Sequence, residues 1–399
     1  MGFQHGLSGL SAAARNLDVI GHNVANANTV GAKASRAEFG DVIANTVYGS
    51  GAQFGGLGVQ VDRVAQQFSQ GDLSSTANPL DLAINGSGFF RLSDNGMTTY
   101  SRNGQFGLDK DGYIVNSAGS RLTGYPADGN GVIQPGVPAD LRMVTGDISP
   151  RATSSVEAML NLDSRAEERT TAFDLNDPTT YNSATSLGVF DAQGGDTTMA
   201  LYFQKTAANT WNVFAAADGE QIGTDPVAEL TFAANGTVLS PADPISIAVP
   251  GGVGDLEVDL GASTQYGSVF GVNHLSQDGF TTGRLAGYSI SDEGIITARY
   301  TNGQTRAQGQ VALANFTNPQ GLVSLGGNVW AESAESGVAM VGSPASASLG
   351  VIQSGALEQS NVDLTAELVN MITAQRSYQA NAQTIKTQDQ ILQTIVNLR

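Results

Sequence analysis

Residues 360–399 read SNVDLTAELVNMITAQRSYQANAQTIKTQDQILQTIVNLR, and the way this stretch is read decides the fold of both chain ends. Leu364, Leu368, Met371, Gln375, Tyr378, Ala382, Ile385, Asp389, Leu392 and Val396 follow one another in steps of four and three. That heptad spacing predicts an amphipathic helix with a seam for another helix. Ile391, Ile395 and Leu398 widen the stripe, while Gln375 and Asp389 interrupt it, so a stable isolated two-helix coil is not expected. Ser360-Asn-Val-Asp363 reads as a capping box that starts the helix. No Gly or Pro follows to the last residue, which is a long run for a globular helix.

The opposite end carries the same spacing in Phe3, Leu7, Leu10, Ala14, Leu17, Gly21 and Val24. It reads either as a helix seeking a partner helix or as a terminal helix packed on its own domain. Between the two ends the chain reads as β. Asn-Gly and Asp-Gly pairs recur, at Asn85-Gly86, Asn95-Gly96, Asn103-Gly104, Asp111-Gly112, Asn235-Gly236, Asp278-Gly279 and Asn302-Gly303. Such pairs supply the positive φ angles of tight hairpins. Short alternating runs such as Thr198–Phe203 and Ile295–Tyr300 lie between them, as in sandwiches and barrels.

Composition narrows the function. The chain has 399 residues, 49 of them Gly, with 14% charged residues, a balance suited to turn-rich β structure. The net charge of −18 lies almost entirely on the middle, because the two end stretches are each close to neutral. Neutral arms can pack against copies of themselves, while an acidic body stays solvated. An acidic chain is a poor candidate for binding nucleic acid or an anionic membrane surface. Cysteine is absent, which excludes disulfides and thiolate metal sites and fits life outside the cell. The first residues have no positive n-region or sustained apolar stretch, so export without a cleaved signal peptide is expected. No apolar run is long enough to span a bilayer, so membrane insertion is not expected.

Motifs for chemistry are not found, and neither a catalytic residue, a cofactor nor a metal is expected. His5, His22 and His274 have no metal-ligand spacing, and neither GxSxG nor GxxxxGK[ST] occurs. Asp109-Lys-Asp111-Gly112 looks like the opening of a calcium loop but lacks the closing Glu, and it reads as a hairpin turn. Gly251-Gly-Val-Gly254 reads as a loop, with no helix after it to cradle a phosphate. Two tryptophans, Trp211 and Trp330, are few for a carbohydrate-binding platform.

The first arm ends in Gly21-His-Asn-Val-Ala-Asn-Ala-Asn-Thr-Val-Gly31-Ala-Lys33. Asn26, Asn28 and Thr29 are residue types that cap backbone groups where a helix ends, and Gly31 permits a left-handed residue there. This segment, with Asn23, resembles the N-terminal motif of flagellar rod and hook proteins, although Ala32 stands where that motif carries an aromatic residue. The run Glu367–Asn381 is similar to the C-terminal helix of the same family. Asn85–Phe90 and Tyr100–Phe106 are similar to both rod and hook members, whereas Asp278–Gly283 and Gly294–Gly303 look like the hook version.

The resemblance implies a mainly β protein with α-helical termini that pair in coiled-coil fashion, followed by two nested β domains. The implied parts are a helical domain (1–30 with 360–399), a linker region (31–70 with 340–359), a first β domain (71–145 with 276–339) and an inserted outer β domain (146–275). It also implies a structural subunit that polymerises helically into the flagellar hook, a flexible tube that transmits torque around a central export channel. Polymerisation contacts would then fall on Phe3, Leu7, Leu10, Ala14, Leu17, Val24, Leu364, Leu368, Met371, Tyr378, Ile385, Leu392 and Ile395. The linker motif would be Asn23, Asn26, Asn28, Thr29 and Gly31. The implied partners are further copies of the chain, the rod, hook-cap and hook–filament junction proteins, and the flagellar export apparatus. The alternatives are a distal rod or filament-type subunit and an extracellular carbohydrate-active β protein.

Overall fold

The computed structural model describes residues 2–43, 56–346 and 348–397. Two helices bracket a chain of short strands: α1 (Gly2–Ala25) and α2 (Leu364–Asn397). The chain divides into two compact units. One holds residues 1–144, 288–298 and 306–399, and the other holds 145–287 and 299–305.

In the first unit, α1 leads into a long antiparallel hairpin, β1 (Ser35–Ile43) and β2 (Gly56–Gln66). The segment expected to be a linker thus carries strands of its own. Beyond it lies a sheet centred on the hairpin Phe89–Asp94 with Met97–Ser101. Asn95 and Gly96 form its turn with φ of 49° and 91°, the two left-handed residues that a two-residue hairpin of this twist needs. Val329–Ala331 and Val323–Gly326 continue the sheet on one side, and Arg121–Pro126 and Leu313–Asn315 on the other. Strand alternation sends Phe89 and Phe90 to opposite faces. Phe90 joins Leu82, Ile84, Leu92, Ile114, Leu122, Val311, Leu313 and Ile352 in an aliphatic core. Phe89 joins Tyr100, Phe316 and Trp330, with Phe68 against them. Those rings meet edge to face, as the charge distribution of aromatic rings favours.

The second unit is a sandwich with one core. The first sheet takes Ile245–Val249, Gly254–Asp259, Ser155–Asp163, Thr264–Tyr266 and Gly271–Gln277. The second takes Ser183–Phe190, Asp196–Ala207, Thr210–Ala217, Ala228–Phe232 and Val238–Ser240, with the short Glu220–Gln221 at its side. Along Asp196–Ala207, Met199, Leu201 and Phe203 are fully buried and meet Val156, Leu160 and Leu162 of the other sheet. Trp211 fills the same core and donates its indole N–H to Gln265 Oε1 at 3.1 Å, which satisfies its one buried polar atom. The Gly251–Gly254 run is a hairpin turn between Ile245–Val249 and Gly254–Asp259. In the first unit, Asp109 Oδ1 accepts the backbone N–H groups of Asp111 and Tyr113, so the calcium-like tetrad is the Asx turn of a hairpin.

Candidate functional site: the paired arms and their roots

The two helices pack antiparallel. At one end of the contact, Gly6 faces Ile385 and Gly9 faces Asn381. At the other, Asn23 donates to Glu367 Oε1 at 3.2 Å. The glycines allow this approach: a Cβ on Gly6 would lie 2.9 Å from Ile385 Cγ1, and one on Gly9 would lie 2.8 Å from Asn381 Oδ1. Between these points Ala13, Asn16 and Ile20 of α1 and Ala374 of α2 line one shared cleft, with Ala13, Ile20 and Ala374 buried. Small and polar groups therefore dominate the seam.

The α1 stripe read in the sequence lies one residue away from this seam, which is about 100° around a helix of 3.6 residues per turn. Leu7 is 52% exposed, and Leu10, Ala14, Leu17 and Val24 are half-buried. The shift has a physical cause. Apolarity marks which residues avoid water, whereas close packing of two backbones selects the smallest residues. α1 also has a platform on its other side: Ser8 Oγ accepts the backbone N–H of Val59 in β2 at 3.4 Å. On α2, Ile385 meets α1 and Met371 is half-buried, but Leu364, Leu368, Tyr378 and Leu392 are exposed, at 45%, 46%, 37% and 54%. Val369 and Ile372 are exposed beside them. Phe3 and Ile395 lie on the helices, but their side chains fall outside the described residues.

The helix start also differs from its reading as a box opening at Ser360. Asp363 is the N-cap: its Oδ1 accepts the N–H groups of Thr365 at 2.8 Å and Ala366 at 3.1 Å. A cleft of about 530 Å³ lies between the helices and β1, lined by Asn16, Arg36, Phe39, Asn370 and Thr373 among others.

The linker motif forms the root of the first arm. Asn23 is buried. Its Nδ2 donates to Ser35 O at 2.7 Å and its Oδ1 accepts Ser35 N–H at 2.8 Å, so it ties the last turn of α1 to the start of β1. Asn26 donates its backbone N–H and its side-chain Nδ2 to His22 O, at 3.1 and 2.9 Å, closing the end of the helix. Thr29 Oγ1 donates to Asn26 Oδ1 at 3.4 Å, and Asn28 is exposed. Gly31 has φ of 68°, and a Cβ there would lie 2.6 Å from the backbone nitrogen of Asn103, so both conformation and space demand glycine. Ala32, where the family motif has an aromatic residue, is buried.

Next to this root sits a charge cluster that sequence reasoning missed. Glu358 accepts from Lys33 Nζ at 2.6 Å and from Arg102 Nη1 at 3.0 Å, and all three side chains are 4% exposed or less. Burial pulls both Lys33 and Arg102 below their ordinary pKa values, and the carboxylate of Glu358 opposes that shift. Lys33 and Arg102 lie inside motifs quoted from the sequence, but nothing in a lone Glu 325 residues from Lys33 signals that they meet.

The arrangement matches known proteins along its whole length. Residues 3–33 match the model described as "Flagella basal body rod protein", and residues 83–152 match "Flagellar hook protein FlgE/F/G D1 domain". Residues 161–280 match "Flagellar basal body protein FlaE D2 domain", and 353–398 match "Flagellar basal body rod FlgEFG protein C-terminal". The class is thus that of flagellar basal body and hook proteins. The chain is 42% identical to the flagellar hook protein FlgE of Escherichia coli over 414 residues, covering all of both chains. It is 42% identical to that of Salmonella typhimurium over 411 residues, again covering all of both, and 34% identical to that of Rhizobium meliloti, covering 99% and 98%. The chain belongs to the flagellar hook protein FlgE family. A crystal structure of flagellar hook protein FlgE2 from Helicobacter pylori aligns with a TM-score of 0.57 at 14% identity, covering 72% of this chain and all of that one, a likeness of fold.

Proposed function

We propose that the chain is the structural subunit of a bacterial flagellar hook, polymerising helically into a flexible tube that carries torque from rod to filament around a central export channel. The observation that carries this reading is the 42% identity to named hook proteins over the full length of both chains. The open face of α2 supports it. Leu364, Leu368, Val369 and Ile372 stand 45–59% exposed on successive turns of a single chain, and neighbouring copies would cover them. In this reading Phe3, Leu7, Leu10, Ala14, Leu17, Val24, Leu364, Leu368, Met371, Tyr378, Ile385, Leu392 and Ile395 make contacts in the tube. Such a contact is heterologous and does not close on itself.

Residues 1–30 with 360–399 form the inner helical layer, 31–70 with 340–359 the linker, 71–145 with 276–339 the first β domain, and 146–275 the outer one. The protein acts by assembly, not catalysis. Its partners are further copies, the rod, cap and junction proteins and the export apparatus, and its place is the hook, outside the cell. The large outer domain favours a hook over a distal rod subunit. Negative-stain electron microscopy of concentrated purified protein tests the reading: short curved tubes are expected, and a protein that stays monomeric at every concentration and salt condition overturns it.

A further inference from the structure

Four passages of chain in the first unit converge on the carboxylate of Glu358. Its Oε1 accepts Lys33 Nζ at 2.6 Å and the backbone N–H of Gly71 at 2.9 Å, and its Oε2 accepts Arg102 Nη1 at 3.0 Å. Its backbone carbonyl accepts the N–H of Gly31 at 2.8 Å. The cations reach further: Lys33 Nζ donates to Ser69 O at 2.8 Å, and Arg102 Nη2 donates to Gly86 O at 2.8 Å. Three residues on, Asn361 Oδ1 accepts the N–H of Ala34, and its Nδ2 donates to Gln67 O and Ser69 Oγ. The exit of the first arm, the return from the β1–β2 hairpin, the sheet core and the approach to α2 are thus joined at one buried point.

Separate apolar contacts would let each segment dock alone. A shared carboxylate does not, because the cluster holds two cations to one anion. Without Glu358, burying Lys33 or Arg102 leaves an uncompensated charge in a dry site, which is strongly unfavourable. The root of the first arm therefore has no stable buried form until a residue 325 positions later is in place. We propose that Lys33, Arg102 and Glu358 are a latch that makes docking of both arm roots on the sheet core a single cooperative step, so that the helix pair is fixed in direction only in a chain whose two ends have both folded. Its consequence for assembly rests on the function proposed above: an unlatched subunit presents its arms in no fixed direction and adds poorly to a growing tube.

Hydrogen exchange read by mass spectrometry on the full chain tests the latch, with Glu358→Gln and Lys33→Met as variants. In both, amides in 29–36 and in 67–72 should exchange at least about tenfold faster together, while those in 199–217 are unchanged, since local opening then needs no break in the other core. The protein concentration needed for tubes should rise by about tenfold or more in both variants, a readout that local loosening alone would not move. Faster exchange confined to the substituted segment, or no change in 67–72 for Lys33→Met, overturns the latch. If Glu358→Gln loses protection at 89–101 and so fails to fold, Lys33→Met decides, because it removes the surplus charge and keeps the Glu358–Arg102 pair. A wild-type chain that forms no tubes defeats the proposed function, and the exchange result still judges the latch.

Discussion

The sandwich of the second unit and the helix pair of the first use apolar residues in opposite ways. In the sandwich, Val156, Leu160, Met199, Leu201, Phe203, Trp211, Leu230 and Leu256 are all 1% exposed or less, so its large side chains are spent on itself. Along the arms, the buried seam holds Gly6, Gly9, Ala13, Asn23 and Ala374, while Leu7, Leu364, Leu368, Ile372, Ile391 and Leu392 are open. A core of the first kind is complete in one chain. A helix pair of the second kind leaves apolar surface uncovered in the single chain, and in the assembly proposed above a neighbour would cover it, since burial stabilises by about 25 cal/mol per Å² of apolar surface whichever chain supplies the cover.

The largest break in that contrast should come from a charge on the open face. Leu368→Asp is expected to abolish tube formation in sedimentation and microscopy, because an unpaired carboxylate buried between copies costs several kcal/mol and the cost recurs in every subunit. Stability of the single chain should stay within about 0.5 kcal/mol, since Leu368 is already wet there. Ile385→Asp and Leu10→Asp should also block tubes, but Ile385→Asp should loosen the helix pair as well, because Ile385 faces Gly6. Normal tubes from all three would remove the arms from the assembly core.

A large effect of the opposite kind belongs to the sandwich. Phe203→Ala should cost that unit about 3–5 kcal/mol, read by denaturant unfolding through Trp211 fluorescence in a Trp330→Phe background. Tubes should still form wherever the unit remains folded. Replacing residues 146–275 with a short Gly/Ser linker should likewise leave tubes that are straighter or irregular. Complete failure to assemble with the first unit's sheet intact would place residues 146–275 in the assembly core. A middle-sized effect sharpens the account of the seam: Gly6→Leu should destabilise the helix pair by about 1–3 kcal/mol through overpacking against Ile385, seen as earlier loss of helical circular dichroism.

The mainly β chain with helical ends was legible because period, turn pairs and run length report local structure directly. Asn95-Gly96 at its hairpin and the uninterrupted α2 are such signals. The face of α1 that meets α2 was not legible. Seven-residue spacing fits two stripes one residue apart, Leu7-Leu10-Ala14-Leu17 and Gly6-Gly9-Ala13-Asn16, and hydrophobicity selects the first while backbone approach selects the second. The start of α2 was misplaced for a similar reason: Ser360 and Asp363 are both competent caps, and only the path of the chain chooses Asp363. The Lys33–Glu358–Arg102 cluster was invisible because it depends on three distant passages of chain meeting, and no local pattern encodes that.

The smallest expected effect tests whether polar fastenings matter in the sandwich as they do at the arm roots. Asp278 is the counterpart there. Its Oδ1 accepts the N–H groups of Ser154 at 2.8 Å and Ser155 at 2.9 Å, and its Oδ2 accepts Ser154 Oγ at 2.7 Å and Arg151 Nη2 at 2.8 Å. Partial burial alone would push its pKa up, but these hydrogen bonds and the Arg151 charge outweigh it and hold the carboxyl below the usual value. A folded pKa below the unfolded one means stabilisation that is fully present above the unfolded value of about 4 and fades as pH falls through the folded value. Because the carboxylate is 27% exposed and its Arg151 partner 60%, the gain is modest, about 1 kcal/mol. Asp278→Asn should therefore lower the stability of this unit by about that amount at pH 7, and the gap between wild type and variant should narrow steadily below about pH 4. Unfolding midpoints measured from pH 7 to pH 2 check this. A gap that stays constant through the acid range would mean that these bonds survive protonation, and that shape and not charge fastens this corner of the sandwich.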